Sequence, residues 1–424
     1  MRRGGMDRMR NPVLGAFTLS RACRAGVVLA GALLVGMTAG WTASSAAQTH
    51  GARADLTDPA LPHRLQAMLD RLVREGENVR NGALLIEGPG FHWMGASGVA
   101  FAGSGIAMQP DDSFNLDSMV KMMTATIVMK LVESGRLGLD DPIAKYLPES
   151  LMAGLHVCEG RDYSDEITVR HLLSHSSGLA DDWADPSFLN LIIEDQERRW
   201  TPEATVEYIK KNCTPHFPPG DGFQYSDPGY NLLGLVIERR TGRPLHQVFR
   251  ELLLAPCGMN HTYRPSHEAP RPSLPGRGPS ERFLDDMECT LVPAVLTADW
   301  AGGGMISTTE DVNRFLRAFV RNEIFEDPST RGRMFRWIES GPYHGYGFGI
   351  SRVLFDRSPN PDHKGLGEIW GHAGSSHCFA FYWPREGITM IGTLNQLAYD
   401  GSLYDTLALV MQTILGRKNI SRIG

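Results

Sequence analysis

The sequence predicts an α+β fold, in which an antiparallel sheet built from both chain ends carries an inserted, mainly helical region. Three observations predict it. Residues 83–87 form a short apolar strand that Gly88-Pro-Gly90 turns back into 91–94, a hairpin near the start. Residues 378–383 and 388–393 repeat the arrangement near the end, joined by the turn Pro384-Arg-Glu-Gly387. Between the hairpins the pattern is helical or irregular. Hairpins join antiparallel neighbours, whereas parallel strands need long crossovers. Strands gathered at the ends with helices between them separate α+β from an alternating α/β order.

Each element follows from its own pattern. Leu61, Leu65, Leu69 and Leu72 recur at helical spacing and mark an amphipathic helix over 61–73. Residues 119–132 are strongly apolar and long enough for a buried helix, which Ser134-Gly135 ends. Helical patterns also cover 203–211 and 230–238, and an apolar helix over 403–415 closes the chain. Residues 263–282 are rich in proline and charge and read as a surface loop. There is no internal repeat. A chain of 424 residues accommodates one catalytic unit. We assign it to 55–420, with an α/β part of 61–115 plus 295–420 and a helical part of 116–294.

Residues 1–47 read as a signal peptide. Six arginines, Arg2, Arg3, Arg8, Arg10, Arg21 and Arg24, precede an uncharged and mostly apolar stretch at 25–41. Ala43-Ser-Ser-Ala-Ala47 then supplies small residues for signal peptidase. The mature chain is therefore expected to be exported, periplasmic or secreted. The alternative is an uncleaved anchor over 25–41, which falls just short of the ~20 residues of a full span. Membrane association is expected only through this segment.

Composition narrows the function classes. Hydrophobic residues make up 42% and charged residues 21%, as in ordinary globular proteins. A net charge of −6 implies no basic surface and argues against a nucleic-acid partner. Once Cys23 leaves with the signal, Cys158, Cys213, Cys257, Cys289 and Cys378 remain. An odd, scattered set is no disulfide framework, although it allows one or two pairs with a thiol left over. The absence of any Cys-x-x-Cys pair excludes a zinc ribbon. The oligomeric state is not legible.

Three motifs carry chemistry. The first is Ser118-Met-Val-Lys121. A helix starting at Ser118 puts its hydroxyl among free backbone N–H groups at the positive end of the dipole. Lys121 then lies on the same face, close enough to take the hydroxyl proton if buried and partly neutral. Serine is a poor nucleophile without such a base. A pattern with two fixed positions also arises by chance, so it needs partners. They are Tyr225-Ser-Asp227, followed by the apolar helix at 230–238, and Trp370-Gly-His372-Ala-Gly374-Ser375.

In this order the motifs resemble the class C β-lactamase and DD-peptidase family of serine hydrolases. Its members carry Ser-x-x-Lys, then Tyr-x-Asn, then Lys- or His-x-Gly. Residues 167–179 and 301–311 also resemble the family, and the resemblance runs from about Leu61 to Leu415. It implies a β-lactamase/transpeptidase-like fold and a hydrolase that needs no cofactor or metal and takes a small ester, amide or peptide. By this resemblance Ser118 forms an acyl-enzyme. Lys121 and Tyr225 share the proton work, the tyrosine's pKa being lowered by the ammonium. Backbone N–H groups of Ser118 and Ser375 form an oxyanion hole, and His372 and Gly374 line the cleft.

Two departures bear on substrate. Asp227 stands where the family has an asparagine that donates to the substrate carbonyl; an ionised carboxylate only accepts. It is expected instead to pair with Lys121, holding the lysine charged and favouring Tyr225 as base. Ala373 replaces a threonine whose hydroxyl helps bind the carboxylate of β-lactams and D-Ala-D-Ala peptides. Both changes favour an esterase or a D-amino-acid or DD-peptidase-like enzyme over a class C β-lactamase. Asp227 also leaves open a catalytically impaired binding protein of the same fold. Cys378, where many relatives have glycine, is expected to narrow the cleft.

Other features read as structural. Tyr163-Ser-Asp165 repeats the second motif's letters but opens no apolar helix, so it is a loop. His171 and His175 are spaced as in a zinc protease, but Leu172 stands where the glutamate belongs. No Gly-x-Ser-x-Gly elbow exists. Glycines 302–304 lack a following Gly-Lys-Ser/Thr and suit a tight turn near the cleft. Trp370, Phe379, Phe381 and Trp383 are core or cleft wall.

Overall fold

In the computed structural model, which describes residues 53–76, 78–399 and 401–417, the apolar segments of both chain ends join one nine-stranded antiparallel sheet. The expected signal peptide lies outside the described residues. The first part of the chain supplies β1 (Asn81–Gly88), β2 (Phe91–Phe101) and β3 (Ile106–Ala107). The last part supplies β4 (Ile338–Gly341), β5 (His344–Tyr346), β6 (Ser351–Leu354), β7 (Glu368–Ala373), β8 (Phe379–Trp383) and β9 (Ile388–Thr393). The order across the sheet is β4-β5-β6-β7-β8-β9-β1-β2-β3. The two ends meet where β1 pairs with β9, Ala83 opposite Thr393 and Glu87 opposite Thr389. Gly90, at φ +71°, closes the first hairpin in a conformation that glycine adopts without steric cost.

The main helices are α1 (Leu61–Glu75), α2 (Val120–Glu133), α3 (Pro202–Asn212), α4 (Asp227–Thr241), α5 (Thr309–Val320) and α6 (Leu403–Ile414). Successive strand residues face opposite sides of a sheet, and the packing of β1 follows that rule. Leu84 and Ile86 join α1 and α6 in one core, with Leu61, Leu65, Leu407 and Met411. Leu85 joins the other core, which contains α2, α4 and α5. A strand covered on both faces is apolar throughout, which is why 83–87 reads as an unbroken run.

The helix and hairpin segments appear where the sequence places them, with ends that shift by one to several residues. Two features differ. Helix α5 and strands β4 to β6 have no counterpart in the reading of the sequence. Thr308 caps α5 by accepting from Asp311 N at 3.1 Å. Val312, Phe315, Leu316 and Phe319 then form its buried stripe. Strands β4 to β6 are three or four residues long, too short to show an alternation. The 263–282 segment is largely irregular, as expected, but it is not wholly on the surface. Tyr263, Arg264, Ser280 and Arg282 are buried. Arg264 donates to Trp300 O, and Arg282 donates to Cys289 O and pairs with the Asp117 carboxylate, which accounts for part of each buried guanidinium.

None of the one or two disulfides that the cysteine count allows is formed: all five described cysteines are free thiols. Three sit in polar surroundings of their own, Cys378 on Leu116 O, Cys289 on Arg282 O and Cys213 beside Asp185. Among the described residues no helix is long and apolar enough to cross a membrane.

Phe319 stands at the meeting of α5 and the sheet, its ring 6.0 Å from Trp370 and 6.2 Å from both Phe325 and Phe335. Phe319→Ala should destabilise the protein by about 3–5 kcal/mol in urea denaturation. The exposed Leu291→Ala should stay within about 0.5 kcal/mol of wild type.

Candidate active site

A short ribbon places the first motif. Phe114 and Asn115 pair with Ser307 and Ile306, and Leu116 N donates to Met305 O. The chain then makes one 3₁₀ turn, Asp117–Met119, that runs without a break into α2. Ser118 therefore sits in the first turn of a helix, partly exposed. Lys121, one turn on, is 0% exposed.

Asp117 has φ +43°, a region that non-glycine residues rarely adopt. Its carboxylate explains why. It forms an ion pair with the buried Arg282 guanidinium and accepts from Ser375 Oγ (3.2 Å), Ser376 N (2.9 Å) and Ser376 Oγ. These contacts tie the residue before Ser118 to the β7–β8 connection, which brings Ser375 to the nucleophile. Gly374 permits the approach: a Cβ there would lie 2.4 Å from Cys378 Sγ and 2.6 Å from Asp117 Cβ.

The second motif arrives through a helix cap. Ser226 Oγ accepts from Gly229 N at 3.3 Å and Pro228 opens the first turn of α4, so Tyr225 and Asp227 flank a fixed cap. Lys121 Nζ is the meeting point. It lies 3.0 Å from Ser118 Oγ and 3.2 Å from Gly302 O, and it is ion-paired with Asp227. Asp299 Oδ1 is 3.7 Å away, and the Tyr225 ring centroid 5.0 Å. The Tyr225 hydroxyl is near enough to Lys121 and Ser118 for both to act on its pKa. Gly302 belongs to the tight turn expected at 302–304. A Cβ on it would lie 2.4 Å from Asp299 Oδ1 and 2.8 Å from Lys121 Nζ. Asn231 of α4 holds that turn, accepting from Ala301 N and donating to Ala298 O.

The charge of Tyr225 differs from the sequence expectation. Burial alone would lower the pKa of Lys121, but Asp227, Asp299 and Tyr225 outweigh it and hold the lysine well above its usual range. The pairing with Asp227 therefore favours the charged ammonium of Lys121 over a neutral amine. Tyr225 is not activated by that ammonium. Burial raises its pKa and Asp227 adds to the rise, so the opposing pull of Lys121 does not prevail. Around the pair stand more carboxyls than one ammonium can neutralise. Burial and then the charge of Asp227 push Asp181 up to about 8. Asp182 and Asp299 are raised for the same first reason, burial.

The third motif reaches the site through aromatic rings. His372 Nε2 lies 2.9 Å from Tyr346 Oη, and burial and then the Lys121 charge push its pKa down to about 3. It is a neutral ring. His175 stacks 4.2 Å from Tyr225 and 4.7 Å from Tyr346, and its Nδ1 accepts from Ser226 N at 3.1 Å. Burial holds it neutral as well. His171 belongs to the short helix Val169–Leu173, where it completes a capping box with Thr168. His175 lies past the end of that helix at φ +56°, so the two histidines do not share one helical face.

Cys378 does not narrow the cleft. It is fully buried behind Gly374, with Sγ 3.2 Å from Leu116 O. Ala373 ends β7 and is partly exposed. Ser164 of the look-alike Tyr163-Ser-Asp165 is a buried turn residue that accepts from His156 N. Trp370, Phe379, Phe381 and Trp383 are all buried. Reading the sequence missed Asp117, Arg282, His175 and Tyr346, and the carboxyls Asp181, Asp182 and Asp299. The signals available were Asp117 directly before the nucleophile, His175 inside a family-like stretch and Asp299 three residues ahead of the glycines.

The family model described as Beta-lactamase matches residues 69–412. The chain belongs to the β-lactamase family. This β-lactamase-family chain is 30% identical over 347 residues to "Esterase EstB" of Burkholderia gladioli, covering 74% of the chain and 86% of the esterase. It is 26% identical over 291 residues to "Penicillin-binding protein 4" of Amycolatopsis lactamdurans, covering 66% and 71%. Among solved structures it is similar to a D-stereospecific amidohydrolase from Streptomyces sp., with a TM-score of 0.68 and 25% identity over 84% of this chain and 99% of that one. The β-lactamase family is one of serine hydrolases, and the α+β, penicillin-binding-protein-like fold expected from the sequence is the fold observed.

The neutral histidines make stability depend on pH. His372 titrates near 3 when folded and near ~6.5 when unfolded, so below ~6.5 the unfolded chain binds a proton that the folded chain refuses. This contribution is complete above ~6.5 and is lost as the pH falls toward 3, and His175 acts in the same direction. Urea midpoints should fall from about pH 7.5 to about pH 5. Each such histidine contributes up to about 1.4 kcal/mol per pH unit. His372→Gln should reduce the fall.

Proposed function

We propose that the protein is a hydrolase of small esters or amides that works through an acyl-Ser118 intermediate, with esterase or D-amino-acid or DD-peptidase-like specificity. One observation carries this reading: Ser118 Oγ, in the first turn of a helix, lies 3.0 Å from Lys121 Nζ, with the Tyr225 ring centroid 5.0 Å from the same nitrogen. Ser118 Oγ attacks the acyl carbonyl. The backbone N–H groups of Ser118 and Ser375 receive the developing oxyanion, and each such fixed donor is worth about 3 kcal/mol. Tyr225, held uncharged beside the nucleophile, is placed to pass a proton to the leaving group. Water then releases the acyl group by the reverse path. Gly374 and the neutral His372 shape the cleft, the latter through Tyr346.

The substrate side rests on the departures from the family pattern. Asp227 is ion-paired with Lys121, so it is not an amide donor to a substrate carbonyl. Ala373 carries no hydroxyl for a substrate carboxylate. The similarity to an esterase and to a D-stereospecific amidohydrolase supports the same direction. A second reading, a class C-type β-lactamase, is favoured by the match to the family model described as Beta-lactamase. We also propose export, on the basic, apolar and small-residue order of residues 1–47.

Turnover of short p-nitrophenyl esters or D-amino-acid amides, with slow or no turnover of nitrocefin, is the expected profile. Ser118→Ala should lower that turnover on the order of 10⁵- to 10⁶-fold and remove labelling by a fluorophosphonate. Rapid nitrocefin hydrolysis would favour the second reading. Labelling that persists in Ser118→Ala would refute both.

A further inference from the structure

The nucleophile has an ammonium and an uncharged phenol beside it, and neither can accept its proton. The group that can lies one contact further on. Asp227 is in direct contact with Lys121 Nζ, which is itself 3.0 Å from Ser118 Oγ, so the three side chains form a continuous path from hydroxyl to carboxylate. Asp299 Oδ1 lies 3.7 Å from the same nitrogen, beyond hydrogen-bond distance.

We propose that Asp227 is the proton acceptor of the reaction, reached from Ser118 through Lys121. The inference rests on the reading of Ser118 as nucleophile. In the forward step the Ser118 O–H bond breaks as Oγ bonds the acyl carbon, and the carbonyl π pair moves onto oxygen. The hydroxyl proton joins Lys121 Nζ while one Nζ–H proton moves to Asp227 Oδ1. Lys121 remains an ammonium, Asp227 becomes a neutral acid, and the negative charge now sits on the tetrahedral intermediate. On collapse the C=O bond re-forms and the bond to the leaving group breaks. The leaving group takes a proton through Tyr225 from Lys121, which recovers one from Asp227. Charge and protons balance at each stage.

The surroundings favour this transfer. The transfer moves the negative charge off the buried Asp227 carboxylate and onto an oxyanion that fixed backbone N–H donors receive. Lys121 faces Asp227 from α2, Asp299 faces it from the Gly302 turn, and Asp181 and Asp182 come from the short turn Asp182–Ala184 and the residue before it. Tyr225, Tyr230 and Tyr346 complete the ionisable groups around it. Asp181 Oδ1 accepts from Asp227 N at 3.0 Å and so fixes the backbone that carries the acceptor. The asparagine that the family carries at this position cannot take up a proton, so the carboxylate supplies an acceptor that an amide would not.

Asp227→Asn tests the path, because it keeps shape and removes only the acceptor. In p-nitrophenyl ester hydrolysis kcat should fall about 10²-fold or more near neutrality, with KM changed only a few-fold. The pH profile should change form. The neutral plateau of wild type should give way to activity that climbs into the alkaline range, where Lys121 sheds its own proton. Asp227→Glu should restore the plateau at a reduced rate. Thermal melting fixes the folded fraction of each variant, and if Asp227→Asn does not fold, the plateau of Asp227→Glu alone decides. A wild-type kcat in Asp227→Asn, or an equal loss at every pH, would overturn the proposal. So would a plateau missing from folded Asp227→Glu. An inactive Ser118→Ala beside an unaffected Asp227→Asn removes the relay alone; an active Ser118→Ala removes the underlying reading.

Discussion

The ammonium of Lys121 has no access to water, and an isolated charge in that position would cost several kcal/mol of lost hydration. Asp227 and Asp299 offset the cost, together with the carbonyl of Gly302 and the hydroxyl of Ser118. These groups come from three separate segments. Ser118 rides the first turn of α2, Asp227 opens α4, and Asp299 and Gly302 belong to the turn that Asn231 anchors. The charge can be buried only if all three segments converge. Convergence is also what gathers a hydroxyl, an ammonium, a phenol and a carboxylate within reach of one another.

A second buried pair governs the other side of the cleft. Asp117 and Arg282 are 165 residues apart in the chain, and Asp117 holds both the start of α2 and the β7–β8 connection. The backbone at Asp117 is kept at a positive φ because its carboxylate is over-determined by these partners. Ser118 and Ser375 are aligned as a result, each adjacent to a residue or turn that Asp117 fixes. Gly374 and the buried Cys378 fill the space behind them. The tyrosine and histidine rings behind Tyr225 form a wall of neutral groups, which leaves the charge on that side of the nucleophile to the lysine and its carboxylates.

The parts of the fold that were legible share a physical property. Leu61 to Leu72 and residues 403–415 are long amphipathic or apolar stretches, and β1, β8 and β9 are buried on both faces, so burial writes directly into composition. Strand β5 is His-Gly-Tyr, too short for any period, and it becomes a strand only because β4 and β6 pair with it. Within the site, Ser118, Lys121, Tyr225 and Asp227 were legible because their spacing and following helices are local. Arg282, Tyr346 and Asp299 were not, since each reaches the site from a distant segment with no motif of its own. The charge states of Lys121 and Tyr225 were the least legible. They depend on how many carboxyls surround the pair and how deeply it is buried, and both are properties of the assembled structure.

The state of Lys121 can be observed directly by following its ¹⁵Nζ resonance across the alkaline range in protein labelled at lysine. An ammonium that persists past the ordinary lysine pKa of ~10.4, and that loses its proton earlier in Asp227→Asn, is the expected result. A Lys121 that titrates below about 9 in the wild-type protein would contradict a charge held in place by its carboxylates.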